Sequence, residues 1–272
     1  MNRLNDTQFQ IVASDLDGTL LAPDHQLSDF SKKTLQELHS KGFTFVFATG
    51  RHHVDVAQIR EQAGIPAFMI TSNGARVHNQ NDELMYSKNV DEELVQPIAD
   101  IIKKDPKIRI HVYQNDHWLT NREDDDIKKF HKDSGFQYTL LDADNMPTTG
   151  IAKLFFVYPD HEYLTQFEDE LNAKFKGRVN IAFSTPTCLE VMADGVSKGA
   201  ALEAIAHSIG STLENCIAFG DGMNDVEMLS MAGKGLVMET SHEKVKQALP
   251  NNEIIGSHKD HAVAQYLNEH LF

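Results

Sequence analysis

Cysteine is scarce: Cys188 and Cys216 are the two in 272 residues. Two thiols build no disulfide framework, and both are expected to be small buried hydrophobes in a reducing compartment. No CxxC or paired-histidine spacing occurs, so a structural zinc site is not indicated. No apolar run approaches bilayer-spanning length, and the opening MNRLNDTQ is polar, without an apolar signal region. A soluble, cytoplasmic protein that engages no membrane is therefore expected. Positive charge is also short: 25 Lys and Arg stand against 40 Asp and Glu, a net charge of −15. That balance argues against non-specific nucleic-acid binding, which needs cations to neutralise phosphates. It also repels anions at long range, so any anion site must bring its own local cations. The P-loop pattern GxxxxGK[ST] is absent, which disfavours that kind of nucleotide site. Nothing points to an obligate protein partner.

What is present is a globular composition, 41% hydrophobic, in a chain long enough for a core plus a second module. Residues 9–21, FQIVASDLDGTLL, organise the rest. An apolar run leads into Asp15 and Asp17, and Gly18 ends it in a turn. Such a run predicts a buried parallel strand with both acids at its carboxyl end, where open α/β sheets bind ligands. Extended backbone would point the two carboxylates the same way, with Leu16 opposite. Paired buried acids call for a cation, and Mg²⁺ suits oxygen ligands.

Downstream, strands and helices alternate. SDFSKKTLQELHSKG reads as a helix capped by Ser28, FTFVFATGR as a strand, HVDVAQIREQAG as a helix and IPAFMITSNGARV as a third strand. Short links between them predict a doubly wound parallel α/β sheet. The middle changes character. A hairpin through ELMYSKNV precedes the helix DEELVQPIADIIKK and the strand pair RIHVYQNDHWLT, which turns at Asn115-Asp116. An acid-capped helix, DDDIKKFHKDSG, then IAKLFFVY, EYLTQFEDELNAKF, VNIAFS and CLEVMAD complete an α+β unit. That unit, residues 89–190, reads as an insertion into a discontinuous core of residues 1–88 and 191–272, with short hinges near 86–89 and 190–194. From Val196 the first pattern resumes, through the strands NCIAFGDGMND, KGLVME and NEIIGS to a terminal helix, AVAQYLNEHL.

The chemistry-bearing residues fall at strand ends: DLDGT (15–19), TGR (49–51), SNG (72–74) and GDGMND (220–225), with Lys198 opening a helix. Singly, each has a bland reading as a turn, an Asx-turn or a solvated helix start. Together they supply a nucleophile, metal ligands, anion-binding groups and a counter-cation, as phosphoryl transfer requires. Asp15 suits the covalent nucleophile and Asp17 the acid and base. Asp221 suits a metal carboxylate, with Asn224 or Asp225 as a ligand or outer support. Thr49, Gly50 and Lys198 suit phosphate oxygens. His52-His53 reads as a helix-start pair packed near the site. Tyr113 and Trp118 read either as packing or as a surface for a ligand ring, and Glu190 and Met192 as candidates to line the cleft beside the insertion.

DLDGT, TGR, the lysine of VSKGAAL and GDGMND, in this order, resemble the motifs of the haloacid dehalogenase-like hydrolases. The insertion resembles the large cap of their Cof-type branch, and the resemblance covers nearly the whole chain. It implies a Rossmann-like core with a substrate-selecting cap, and an Mg²⁺-dependent phosphatase. It implies Asp15 as nucleophile and metal ligand, Asp17 as acid/base and ligand through its carbonyl, and Asp221 on the metal. It implies phosphate contacts from Leu16 (backbone), Thr49, Gly50, Lys198 and Asn224; Asn73 and Asp225 are candidate outer supports. Within the family, ASDLDGTLL, FVFATGRHHVDV, MITSNGARVH, CLEVMADGVSKG and IAFGDGMNDVEMLSMAGKG resemble stretches of a bacterial phosphatase acting on pyridoxal phosphate and, additionally, sugar phosphates. The expected substrate is thus a small phosphorylated metabolite, pyridoxal 5′-phosphate first and hexose phosphates second. A phosphotransferase and a non-catalytic phosphometabolite-binding protein are the rivals. A membrane ion pump is excluded by the missing spans.

Overall fold

The computed structural model describes residues 9–123 and 136–272. The segment read as an acid-capped helix, residues 124–135, lies outside them. Strand β1 (Ile11–Ser14) forms as expected from its apolar run and lies between β12 (Cys216–Gly220) and β2 (Thr44–Ala48), parallel to both. Outward from these run β13 (Lys234–Met238) and β14 (Glu253–Ile255) on one side, and β3 (Ala67–Thr71), β4 (Arg76–His78) and β5 (Leu84–Ser87) on the other. The chain reverses its direction of progress across the sheet at β1, so β1 is the switch point where ligands bind in such sheets.

Alternate strand residues feed two cores. Val12, Phe45, Phe47, Ile217 and Phe219 pack under α1 (Asp29–Ser40), α2 (His53–Ala63) and α8 (Ala262–Leu271). Ile11, Ala13, Val46, Cys216 and Ala218 pack under α5 (Lys198–Ser208), α6 (Val226–Met231) and α7 (Glu243–Ala248). The numbering leaves α3 (Glu92–Ile102) and α4 (His161–Phe175) for the second unit.

The sheet departs from the all-parallel expectation at one edge, where β3, β4 and β5 are antiparallel. Ser72, Asn73 and Gly74 carry φ of 49°, 58° and 103°, and this left-handed turn reverses the chain at once. A parallel return needs a crossover of a dozen residues or more, which the sequence does not supply here. Gly74 is required on two counts: a Cβ there would lie 2.2 Å from the Ser197 carbonyl oxygen.

A second sheet has the order β10 (Val179–Thr185), β11 (Cys188–Ala193), β9 (Ile151–Val157), β6 (Arg109–Gln114), β7 (His117–Thr120), β8 (Tyr138–Leu140). Strand β8 was not foreseen, because Tyr138–Leu140 is short and two of its residues are exposed. Strand β11 continues to Ala193, past the expected boundary at 190. The links to the first sheet are residues 88–91 and 194–197. One face of the second sheet is covered by α3 and α4 through Leu94, Ile98, Leu164 and Leu171. Its other face, with Tyr113, Trp118, Phe155 and Met192, packs on Ala75 and Val196 near the ends of the first sheet. Tyr113 and Trp118 are buried in that packing beside Phe136. Cys188 and Cys216 are both free, and Cys188 is only partly buried. Among the described residues no helix is long and apolar enough to cross a membrane.

Candidate active site

Asp15 follows β1 directly, its N–H bonded to Phe219 O at 3.0 Å, so it emerges at the carboxyl edge beside Gly220. Gly18, at φ 82°, then turns the chain so closely over Asp221 that a Cβ would lie 2.5 Å from Oδ2. Lys198 opens α5 after Ser197, whose hydroxyl accepts the Ala200 N–H and caps the helix. The register of β1 with β12 and the packing of α5 beneath both bring these loops together.

Lys198 is fully buried between two carboxylates, with Nζ 2.7 Å from Asp15 Oδ1 and 2.6 Å from Asp225 Oδ1. Burial works against its charge, but the two acids outweigh burial and hold its pKa above the usual lysine range. Asp225 uses its other oxygen to accept the N–H groups of Asp221 (3.0 Å) and Gly222 (2.8 Å), so it shapes the loop as well as pairing the lysine. Asp221 Oδ1 accepts the Thr19 hydroxyl at 2.9 Å. Oxygens of Asp15, Asp221 and Asp225 all lie within 4.8 Å of one another. Three carboxylates against one ammonium leave an excess of negative charge, and burial, reinforced by Asp225, pushes the Asp221 carboxyl up to about 7. Burial likewise raises Asp15, with Lys198 opposing and Asp225 and Asp221 adding to the rise. An all-oxygen, over-acidic donor set is what a hard divalent cation fits.

Asp17 departs from the expected arrangement. Its carboxylate is outside that trio and is gripped by Arg51, with Nε–Oδ2 at 2.7 Å and Nη2–Oδ1 at 2.6 Å, and by His25 Nδ1 at 3.0 Å. Burial would raise its pKa, but the His25 and Arg51 hydrogen bonds hold it well below the usual carboxylate range. The physical reason is bidentate pairing: a guanidinium fork matches a carboxylate, and Arg51 takes up both Asp17 oxygens. The sequence reading gave Asp17 a place on the metal through its carbonyl only, and the carboxylate that joins Asp15 and Asp221 is that of Asp225, read there as a ligand or outer support.

The loops expected to bind an anion interlock. Ser72 N–H bonds to Arg51 O at 2.9 Å and Asn73 N–H to Thr49 O at 3.0 Å. Thr49 Oγ1 accepts the Arg51 N–H at 3.1 Å, which leaves its hydroxyl proton to donate. Asn224 Nδ2 donates to Asn73 Oδ1 at 3.0 Å, joining the 72–74 turn to the 221–225 loop. Leu16 is buried in the core, as its position opposite the acids requires. Beside these loops, a cavity of about 750 Å³ is bounded by Asn73, Met192, Asp221, Asn224 and the edge strand β10. That volume suits a small metabolite.

Sequence reasoning missed Arg51 as the partner of Asp17, and Lys153, which pairs with Glu190 on the second sheet at 2.5 Å. The available signal for Lys153 was a lone cation inside the apolar strand IAKLFFVY. His52 caps α2, buried against Phe136 and Tyr113.

Comparison with known proteins supplies the family. The sequence matches the family described as haloacid dehalogenase-like hydrolase over residues 12–267. It is 44% identical over 260 residues to a putative phosphatase of Haemophilus influenzae, covering 95% of this chain and 96% of that protein. It is 39% identical over 259 residues to a protein of Cronobacter sakazakii named HMP-PP phosphatase, covering 95% and 94%. A haloacid dehalogenase-like hydrolase from Bacteroides thetaiotaomicron, solved by crystallography, has the same fold, with a TM-score of 0.82 at 26% identity over 97% of this chain and all of its own. Acids, lysine and anion loops gathered at one sheet edge therefore have a family to match: the chain belongs to the haloacid dehalogenase-like hydrolases and is a phosphoric monoester hydrolase of that family.

Proposed function

We propose that the chain hydrolyses a small phosphorylated metabolite through an aspartyl-phosphate on Asp15. The observation that carries this reading is the buried Asp15–Lys198–Asp225 triad with Asp221 beside it at the switch point of the sheet. In this reading an Asp15 oxygen attacks phosphorus as the bond to the ester oxygen breaks. Asp17 gives that oxygen a proton and later takes one from the water that attacks the aspartyl-phosphate. For this, Asp17 must loosen from Arg51, so the arrangement described here is a resting one. The Thr49 hydroxyl, backbone groups of Leu16 and Gly50, the Lys198 ammonium and the Asn224 amide hold the phosphate oxygens. Asp225 and Asn73 support them, Asp225 by shaping the 221–225 loop and Asn73 by tying it to the 72–74 turn. Mg²⁺ fits oxygens of Asp15 and Asp221 with the Asp17 carbonyl, and when bound it offsets the repulsion between phosphate and Asp15.

Residues 89–190, with the rest of β11, act as the cap that encloses the substrate and selects it. Pyridoxal 5′-phosphate is the proposed substrate, from the resemblance of the motif stretches. A second reading, HMP-PP, is favoured by the naming of relatives at 38–39% identity. Phosphate release from both compounds, from glucose 6-phosphate and from 4-nitrophenyl phosphate, with Mg²⁺ or with EDTA, tests the proposal. Magnesium-dependent turnover that Asp15→Ala reduces to background is expected. A wild type that releases phosphate from none of them would sink it.

A further inference from the structure

The face of the second sheet that meets the first is apolar and aromatic, and the Lys153–Glu190 ion pair interrupts it. Lys153 on β9 and Glu190 on β11 are 2% and 3% exposed, with Nζ 2.5 Å from Oε1. The Lys153 ammonium also lies over two rings, 5.0 Å from the centroid of Tyr113 and 4.6 Å from that of Phe155. The other Glu190 oxygen accepts the Asn73 amide N–H, and the same amide nitrogen approaches Met192 Sδ at 3.6 Å. All three polar groups converge on one glycine of the TGR loop. A Cβ on Gly50 would lie 3.0 Å from Asn73 Oδ1, 3.5 Å from Lys153 Nζ and 3.6 Å from Glu190 Oε2.

Stability alone does not account for this pair. Two desolvated charges cost as much as their attraction returns, and well-packed apolar residues serve a sheet interface as well or better. Position is informative. In-line displacement puts the leaving group on the side of phosphorus away from Asp15, and the second sheet closes over the Gly50 turn where phosphate would sit. Lys153 and Glu190 are the charged groups nearest the place a Gly50 Cβ would occupy.

We infer that Lys153 and Glu190 form the leaving-group subsite. They read an alcohol that carries a hydrogen-bond donor and an oxygen acceptor side by side, and this rests on the phosphatase reading above. The donor takes the place of the Asn73 amide on Glu190, and the acceptor takes a further N–H of Lys153. Asn73 keeps its bond from Asn224, so the exchange leaves its carbonyl paired. Pyridoxal, with neighbouring hydroxyl and carbonyl oxygens, has this pattern, and so does a hexose. A nitrophenol offers Glu190 no donor.

The test compares wild type with Glu190→Gln, which keeps an acceptor for Asn73, with Lys153→Met, which keeps the stem on the rings, and with the double variant. The readout is the ratio of kcat/KM for pyridoxal phosphate, or glucose 6-phosphate if that is the better ester, to kcat/KM for 4-nitrophenyl phosphate. Binding of the corresponding free alcohol, and of inorganic phosphate, is measured by calorimetry. The ratio is expected to fall about tenfold or more in each variant, and alcohol binding to weaken in parallel. Phosphate binding should move less than about twofold, because the subsite does not touch the anion. A pair that only joins the two sheets would slow both esters alike and leave alcohol binding intact, which overturns the inference. Because the double variant strands no buried charge, it keeps the test decisive if a single variant fails to fold. The two proposals can fail separately. If wild type hydrolyses nothing yet binds the alcohol through this pair, the phosphatase reading falls and the pair stands as an alcohol-binding site only. If turnover is strong and the ratio does not move, the reverse holds.

Discussion

His52 shows what a single residue can carry in this fold without touching phosphate. Its Nδ1 accepts the Val54 N–H at 3.3 Å and its Nε2–H donates to Asn115 O at 2.8 Å, so the neutral ring is fully used. Burial, reinforced by the neighbouring His53, depresses its pKa to about 3. An unfolded chain takes up that proton near the ordinary histidine value, whereas the folded ring refuses it until far lower pH. The contribution is therefore intact above pH ~6.5 and is lost as pH falls toward ~3, at about 1.4 kcal/mol per unit in the steep range. Between pH 7.5 and 5.0 wild type should lose about 2 kcal/mol more than His52→Gln, measured by urea unfolding. An equal loss in both would assign the acid sensitivity elsewhere. At this scale the sequence was legible where residue type and strand end coincided, as at Asp15, Asp221 and Lys198. It was opaque where a partner is set by tertiary approach. Asp17 meets Arg51 across 34 positions and Lys153 meets Glu190 across 37, and no local pattern marks either pair.

Among the elements, the caps and apolar periodicity made the helices readable. Ser28 and Ser197 accept N–H groups of the first turns of α1 and α5, as their types predict. The β4–β5 hairpin was legible in ELMYSKNV, but the reversal between β3 and β4 was not, because its cause is a three-residue turn whose conformation depends on what it packs against. That turn also ties the site together: Asn73 bonds Asn224, and Gly74 abuts the residue that caps α5. Replacing Gly74 by alanine combines a φ of 103° with a 2.2 Å approach to the Ser197 carbonyl, and backbone on both sides prevents easy relief. Gly74→Ala is expected to cost about 2–3 kcal/mol in denaturant unfolding. It should also lower kcat, since α5 carries Lys198 into contact with Asp15. A stable variant with unimpaired turnover would show that α5 can shift without disturbing the lysine.

Over the whole molecule, charge sets how substrate arrives. The net charge of −15 surrounds a site whose cations are already engaged. Lys198 is bonded to Asp15 and Asp225, and Arg51 to Asp17 and Asp55, so neither projects an unbalanced positive field into solvent. A phosphate ester approaching from beyond a Debye length, ~10 Å at 0.1 M salt, meets net repulsion, and attraction begins only at contact with the loops. Added salt screens the repulsion and hardly reaches buried pairs. At fixed, saturating Mg²⁺, kcat/KM for an anionic ester should therefore stay level or rise as NaCl goes from about 20 to 200 mM. Enzymes that steer anions with a positive funnel show the opposite sign. A steep fall here would mean that the loops around Lys198 and Arg51 present free positive charge during encounter. The resting pairs would then have to open before the substrate binds.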